Sequence, residues 1–409
     1  MDAMLRAAGS GSIGDDAEGR RLVSRRAVLA GSLGLTGAAA LGAARAMAHE
    51  GHGAEASPAA DEELTGRVRE YFIAADEIDW DYAPSGMDAI TGVPLEEEPA
   101  AQVFTVQGPD RIGRVYRKAV YRAYTDDTFA TLAPVAPAWE HLGLLGPVIR
   151  AEVGDTLKVH FRNNSRLPAG LHPHGVRYTK ANEGAPYADG TTGDDTADDA
   201  VQPGDSYTYT WEVPERSGPG PADPSAVLWM YHSHTNEVAD TYAGLVGPLI
   251  VTGRGMARDD ATPTDVDREF VILFSVIDEN LSPYLEENIS DRAESPALVE
   301  PDDEEFGESN LMHSINGFVY GNVPGLTMHV GERVRWYVVG IGNEVDLHTP
   351  HWHGETLEWM GMRTDMIELL PMSMKTLDMM PDEPGTWLLH CHVNDHLIAG
   401  MEALYVVEP

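Results

Sequence analysis

Four His-x-His pairs punctuate this chain, at His172/His174, His232/His234, His351/His353 and His390/His392. On a strand, residues i and i+2 point to one face, so each pair offers two imidazoles to a single spot. The pairs also come in two matched sets. A His-x-His-Gly occurs at 172–175 and again at 351–354, and a second pair, followed by a glycine-containing apolar stretch, occurs at 232–234 and 390–392. The shared order and similar spacing predict two homologous β-rich units. A lone histidine is usually a structural residue. Four pairs, two per repeat, point instead to metal.

The rest of the chain agrees with strands. Leu157, Val159 and Phe161 alternate with Lys158 and His160. Tyr207, Tyr209, Trp211 and Val213 share a face, as do Val334, Trp336 and Val338. Period-two alternation predicts half-buried strands, and the unbroken apolar run 270–274 predicts a fully buried one. Frequent Gly and Pro between these runs suit a sandwich or barrel. The polar, breaker-rich stretch 253–268 reads as a linker. The expected organisation is a signal over 1–48, a tail and lead-in over 49–99, a first domain over 100–252 and a second over 269–409.

Composition excludes several alternatives. A formal charge of −38 would repel a phosphate backbone, which excludes nucleic-acid binding by counterion release. A hydrophobic content of 43% argues against disorder. The single cysteine, Cys391, excludes an intrachain disulfide and a Cys-rich zinc site. Only four of the 28 basic residues are lysines. Such a surface suits a salt-loving source or an ordinary acidic exported protein. Arg25-Arg26 precede an Ala/Gly/Leu-rich stretch that ends in Ala46-Met47-Ala48. Charged start, apolar middle and small-x-small end make a secretory signal of the twin-arginine kind, which places the protein in the periplasm, at the cell surface or outside the cell. The alternative, an uncleaved anchor, needs a longer and less glycine-rich span. His49 and His52 fall in the polar tail, as loose metal ligands or plain solvated residues.

The last cluster reads His390-Cys391-His392-Val-Asn-Asp-His396-Leu-Ile-Ala-Gly-Met401. With His348 it supplies two imidazoles, a thiolate and a thioether, the ligand set of a blue-copper electron-transfer site. Cys391 points away from the face that His390 and His392 share, so one residue of backbone links its sulfur to a second metal cluster. Here the chain resembles the multicopper oxidases, whose four motifs it matches in order over 100–409. The resemblance implies an all-β fold of two cupredoxin-like Greek-key β-sandwich domains and four coppers per subunit. It implies type 2 copper on His172 and His351. The type 3 pair would sit on His174, His232, His234, His353, His390 and His392. Type 1 copper would sit on His348, Cys391, His396 and Met401. It further implies one-electron oxidations that feed reduction of dioxygen to water, and a homotrimer with clusters between subunits. Ser233 stands where the second repeat has its cysteine, so the first domain should lack type 1 copper. That also separates the chain from copper nitrite reductase, whose type 1 cysteine lies in the first domain. A simple electron carrier would need only the four type 1 ligands.

Wording around the motifs is similar to the ceruloplasmin and hephaestin group, in Trp139–Glu152, Met312–Gly317 and Gly342–His348. That resemblance implies Fe(II) oxidation, with iron held by Glu308, His313, Asp395 and a neighbouring subunit's Glu344. Carboxylate and imidazole donors suit iron, and a negative surface draws cations at short range. The same residues also read as loop hydrogen-bonding groups. It implies as well a proton-supplying role for Asp189, which reads equally as a turn-forming Asp-Gly, and calcium at Asp198 and Asp199, in a loop that reads equally as solvated. Seven methionines lie in 360–380. Thioethers prefer Cu(I), which raises cuprous oxidation as an alternative, although filling irregular core space is the expectation for most of them. A laccase acting on phenols is the other alternative.

Overall fold

The computed structural model describes residues 66–343 and 346–409. The signal expected over 1–48, the tail histidines His49 and His52, and Glu344 lie outside the described residues. Among the described residues, no helix is long and apolar enough to cross a membrane.

Two pairs of sheets carry the fold. In the first pair, one sheet runs in the order Val115–Ala123, Val68–Asp81, Thr156–Asn163, Ser206–Glu212. Its partner runs Ile149–Glu152, Val246–Thr252, Ala226–His232, His172–Pro173. The second pair repeats the plan. Leu311–Ile315, Arg268–Asp278, Val334–Gly340 and Met374–Met379 take the places of the first sheet, and a hairpin at 357–364 extends it. Thr327–His329, Glu402–Glu408, Gly385–Cys391 and Pro350–Trp352 take the places of the other. The strand senses match too: antiparallel, parallel, antiparallel across both large sheets. The all-β sandwich expectation holds, and the internal repeat is visible as topology.

Val68–Asp81 is a finding that the sequence reading missed. Placed in the lead-in, it is in fact a 14-residue strand paired on both edges. It is the counterpart of Arg268–Asp278, so the first sandwich begins at Val68, well before residue 100.

Each sandwich buries its own core. Leu157, Val159, Phe161, Tyr209 and Trp211 are sealed in the first, and Phe270, Ile272, Trp336, Val338 and Trp352 in the second. Val334–Gly340 departs from the half-buried expectation and is buried on both faces. Its Tyr337 and Val339 pack with Leu228, Met230 and Ile250 of the first sandwich in a shared apolar layer. Burial of that layer stabilises the junction by roughly 1.5–3 kcal/mol per large side chain.

His141 bridges the same junction. It is fully buried, and its Nε2 accepts the Val271 N–H at 3.1 Å. Burial pushes its imidazole down to about 4. The unfolded chain takes up this proton near pH 6.5 and the folded chain only near 4, so the unfolded state binds more protons in between. The contribution is therefore complete above about pH 6.5 and is lost as pH falls to about 4. It amounts to about 3 kcal/mol at 1.36 kcal/mol per unit. Urea midpoints measured across that window should fall with pH, and His141→Gln, which can still accept from Val271, should flatten the slope.

Candidate metal centres

Strand pairing gathers the eight paired histidines into two groups of four, one in each sandwich. In the first, His172 at the start of its short strand lies opposite His232 at the end of Ala226–His232. The rings of His172, His174, His232 and His234 then lie 5.1–5.6 Å apart. In the second, His351 lies opposite His390, and the rings of His351, His353, His390 and His392 lie 4.6–5.4 Å apart. Among the described residues, no ring contact or hydrogen bond joins the two groups.

Their proton arrangement suits a metal. The Nδ1 atoms of His172, His232 and His390 face backbone carbonyls of Glu183, Ser233 and Cys391 at 2.7–3.0 Å. A carbonyl only accepts, so these imidazoles carry the proton on Nδ1 and turn the Nε2 lone pair inward. His174 Nε2 lies 3.0 Å from His232 Nε2, and His353 Nε2 lies 3.0 Å from His390 Nε2. Burial and neighbouring imidazoles hold His174 at about 4, and burial does the same for His232. Burial also lowers His172, His351 and His390. The neutral form is the one that ligates metal.

A third group forms on the other face of the Gly385–Cys391 strand. The ligand atoms of His348, Cys391 and His396 all lie within 4.8 Å of one another. His348 Nδ1 is 3.1 Å from His396 Nδ1, and Cys391 Sγ is 3.6 Å from His396 Nδ1 and 4.0 Å from His348 Nδ1. The short helix Asn394–Ile398 returns His396 toward the thiol. Met401 is fully buried in the same core, and its N–H donates to the His396 carbonyl at 2.9 Å. Burial raises the Cys391 thiol above its usual value. The N–H groups of Thr349 and Val393 both point at the sulfur, at 3.4 and 3.5 Å, and favour a thiolate once a cation is present. In the first sandwich the matching Ser233 donates to Asp240 at 2.6 Å and accepts from Gly170, a polar lock with no soft donor.

Around these groups the expected residues divide. His313 packs its ring 5.3 Å from the His396 ring and gives its Nδ1 to the Leu311 carbonyl side at 2.9 Å. Glu308 lies exposed on the helix Glu304–Ser309, and Asp395 lies exposed one residue before His396. Asp189 is turned onto Thr191 at 2.6 Å and pairs with Lys180 at 3.1 Å. The Thr191 hydrogen bonds, first, and Lys180 bring it down to about 2. Here it is an ionised turn carboxylate. Asp198 is fully buried and takes the Gly184 N–H at 2.7 Å on one oxygen, while its other oxygen has no partner. Burial raises both Asp198 and Asp199. The methionines divide over the core-filling expectation: Met379 is buried and Met372 and Met374 pack on the apolar layer between the sandwiches, whereas Met360, Met362, Met366 and Met380 are exposed, and Met366 bridges to His351 by its backbone.

Two residues escaped the sequence reading. Asp346 is fully buried, accepts from the Val276 and Asn343 N–H groups at 2.9 Å, and stands 3.6 Å from His348 Nε2. It places a buried carboxylate behind the imidazole, whose Nε2 has no hydrogen-bond partner. Gly342 is required beside it, because a Cβ there would come within 2.1 Å of the Asp346 carboxyl carbon. Tyr178 packs 5.8 Å from His172. An acidic residue two positions before a candidate ligand was the available signal for Asp346.

Comparison with known proteins gives a consistent picture. Two family models described as multicopper oxidase match residues 142–255 and 293–409. Human hephaestin is 46% identical over 345 residues, and human ferroxidase HEPHL1 is 46% identical over 347. Each alignment covers 84% of this chain and 30% of the relative, so the chain spans about a third of their length. A multicopper oxidase crystal structure superposes with a TM-score of 0.51 at 20% identity, over 83% of this chain and 89% of that one.

Proposed function

The chain belongs to the multicopper oxidase family, and from that premise we propose that it is a ferroxidase, oxidising Fe(II) at the expense of dioxygen. The observation that carries this reading is the contact between His313 and His396, which puts an iron-type imidazole against a ligand of the thiolate centre. His348, Cys391, His396 and Met401 hold type 1 copper in this reading, and His172 and His351 the type 2 ion. His174, His232, His234, His353, His390 and His392 hold the type 3 pair. Copper bound there supplies one-electron acceptance at the thiolate and four-electron delivery to dioxygen. Glu308, His313 and Asp395 receive the iron, with Glu344 given by a neighbouring copy. Carboxylates favour the ferric product over the ferrous substrate, and the negative surface gathers the cation.

The separation of the eight histidines into two groups supports assembly between copies, one sandwich facing the other sandwich of the next chain, as a homotrimer. We read 68–252 and 269–409 as the two cupredoxin domains, 1–48 as a twin-arginine export signal, and the unpartnered Asp198 oxygen, with Asp199, as a calcium site. The exposed methionines beside His351 favour Cu(I) as a second substrate.

Oxygen uptake by copper-loaded protein decides the substrate, at a pH where Fe(II) oxidises slowly alone. His313→Ala should lose about 10- to 100-fold in Fe(II) turnover and keep its phenol oxidation. Equal rates on iron in both proteins would leave the carboxylates as structural groups and the enzyme as a laccase.

A further inference from the structure

Cys391 between two histidines has a counterpart one strand away. Trp352 lies between His351 and His353 on the strand Pro350–Trp352, which pairs with Gly385–Cys391. Alternation sends the indole to the face opposite the imidazoles, and Trp352 is fully buried in the core. It is therefore one residue of backbone from two histidines of the second group. From it a line of rings crosses the molecule. Trp352 meets Trp336 at 5.7 Å, Trp336 meets Phe270 at 4.7 Å, Phe270 meets His141 at 5.2 Å, and His141 meets Trp139 at 5.5 Å between centroids. Tyr405 joins the line beside Trp336 at 6.2 Å, and its hydroxyl donates to the His353 carbonyl. Trp139 is half-buried and lines a surface cavity of about 800 Å³, together with Trp80, Phe318, Leu142 and Glu140.

We infer that this line is a second electron path, running from the surface cavity to the histidine group at 351–392 without passing Cys391, and that the cavity takes a small electron-rich aromatic donor such as a phenol. The inference rests on the reading that those histidines hold copper. The indole N–H groups of Trp336 and Trp352 are buried without any acceptor, whereas those of Trp80, Trp211, Trp229 and Trp387 each reach a carbonyl. A hydrogen-bond acceptor stabilises an oxidised indole and localises the hole on that ring. These two have none, so the hole moves on. At Trp139 water can take the proton. The Arg150 guanidinium 5.1 Å over that ring disfavours a lasting cation. The apolar aromatic walls suit a flat donor, and Glu140 offers an acceptor for its hydroxyl.

The balance is simple. A bound phenol gives one electron to oxidised Trp139 and one proton to water, and leaves as a phenoxyl radical. The electron refills Trp336 and Trp352, and copper held by His351, His353, His390 and His392 would be its acceptor. Four such electrons and four protons would balance the reduction of one dioxygen to two waters.

The test uses copper-loaded full chain turning over dioxygen with limiting reductant. Peptide mass mapping should find oxygen added to Trp139, and this should fall roughly tenfold or more in Trp336→Phe while Fe(II) turnover through Cys391 is kept. Phe270→Leu, which breaks the line and removes no tryptophan, is the second variant should Trp336→Phe fold poorly. In copper-free protein, a phenol should quench tryptophan fluorescence, and Trp139→Phe should remove the share of that quenching that Trp80 does not account for. Normal oxygen consumption with Trp139 intact, or with equal Trp139 oxidation in both variants, overturns the path alone. A copper-loaded wild type that consumes no oxygen with any donor overturns the oxidase reading and the path together.

Discussion

Cys391→Ser should abolish the blue absorption and cut Fe(II) oxidation by more than about 100-fold, beyond the 10- to 100-fold loss typical of an outer-shell change at a metal site. The chain has no other cysteine to replace it. Cys391 is fully buried, and its sulfur lies 4.0 and 3.6 Å from the Nδ1 atoms of His348 and His396. A hydroxyl there is hard and stays protonated, so the site loses its strongest copper ligand. The fold should survive. The serine oxygen can still accept from the Thr349 and Val393 N–H groups that now face the sulfur. The remaining cost is about 1–3 kcal/mol for a polar group in an apolar core. Visible spectra, oxygen uptake and urea unfolding on one preparation separate the two effects. A variant that kept its blue band would remove Cys391 from the copper site.

The largest stability effect should come from a pair remote from any metal. Lys118 and Glu279 are both fully buried, 2.5 Å apart. Lys118 also donates to the Tyr242 carbonyl at 2.5 Å, and the Tyr82 hydroxyl donates to the same carboxylate oxygen of Glu279 at 2.5 Å. The cluster ties a strand of the first sandwich to the turn Glu279–Leu281 that ends a strand of the second. Burial lowers the lysine and raises the glutamate. Glu279→Ala strands the ammonium in an apolar site and should cost about 3–5 kcal/mol. The double change Lys118→Met with Glu279→Leu should recover most of it, since a buried pair contributes little over a well-packed apolar one. Urea midpoints of Lys118→Met, Glu279→Leu and the double close the cycle. A double variant as unstable as the worse single would assign the loss to packing.

What the sequence disclosed follows from which signals are local. His-x-His on a strand is a two-residue statement, and the thiol, imidazole and thioether of 390–401 specify a metal chemistry wherever the loop goes. The strand Val68–Asp81 was hidden because its acids and bases break the apolar pattern. They are answered by residues far away in sequence, Arg69 by Asp155 and Glu77 by Arg166. Val334–Gly340 looked one-sided because nothing nearby announces that a second sandwich covers its other face. The exposed methionines misled for the converse reason: a side chain typical of cores lies exposed beside His351. Asp189 carried a family role that its own hydrogen bonds, to Thr191 and Lys180, do not require.

The assembly between copies proposed above would have a geometric consequence. A joint that marries the first sandwich of one chain to the second of another is heterologous: the two contacting patches differ, and every free chain exposes one of each. Such a joint has a direction, and it either closes into a ring or grows as a filament, depending on the rotation each contact imposes. Closure at three would then be a condition of solubility as well as of catalysis. Dilution would silence the enzyme by opening the ring, with every fold intact.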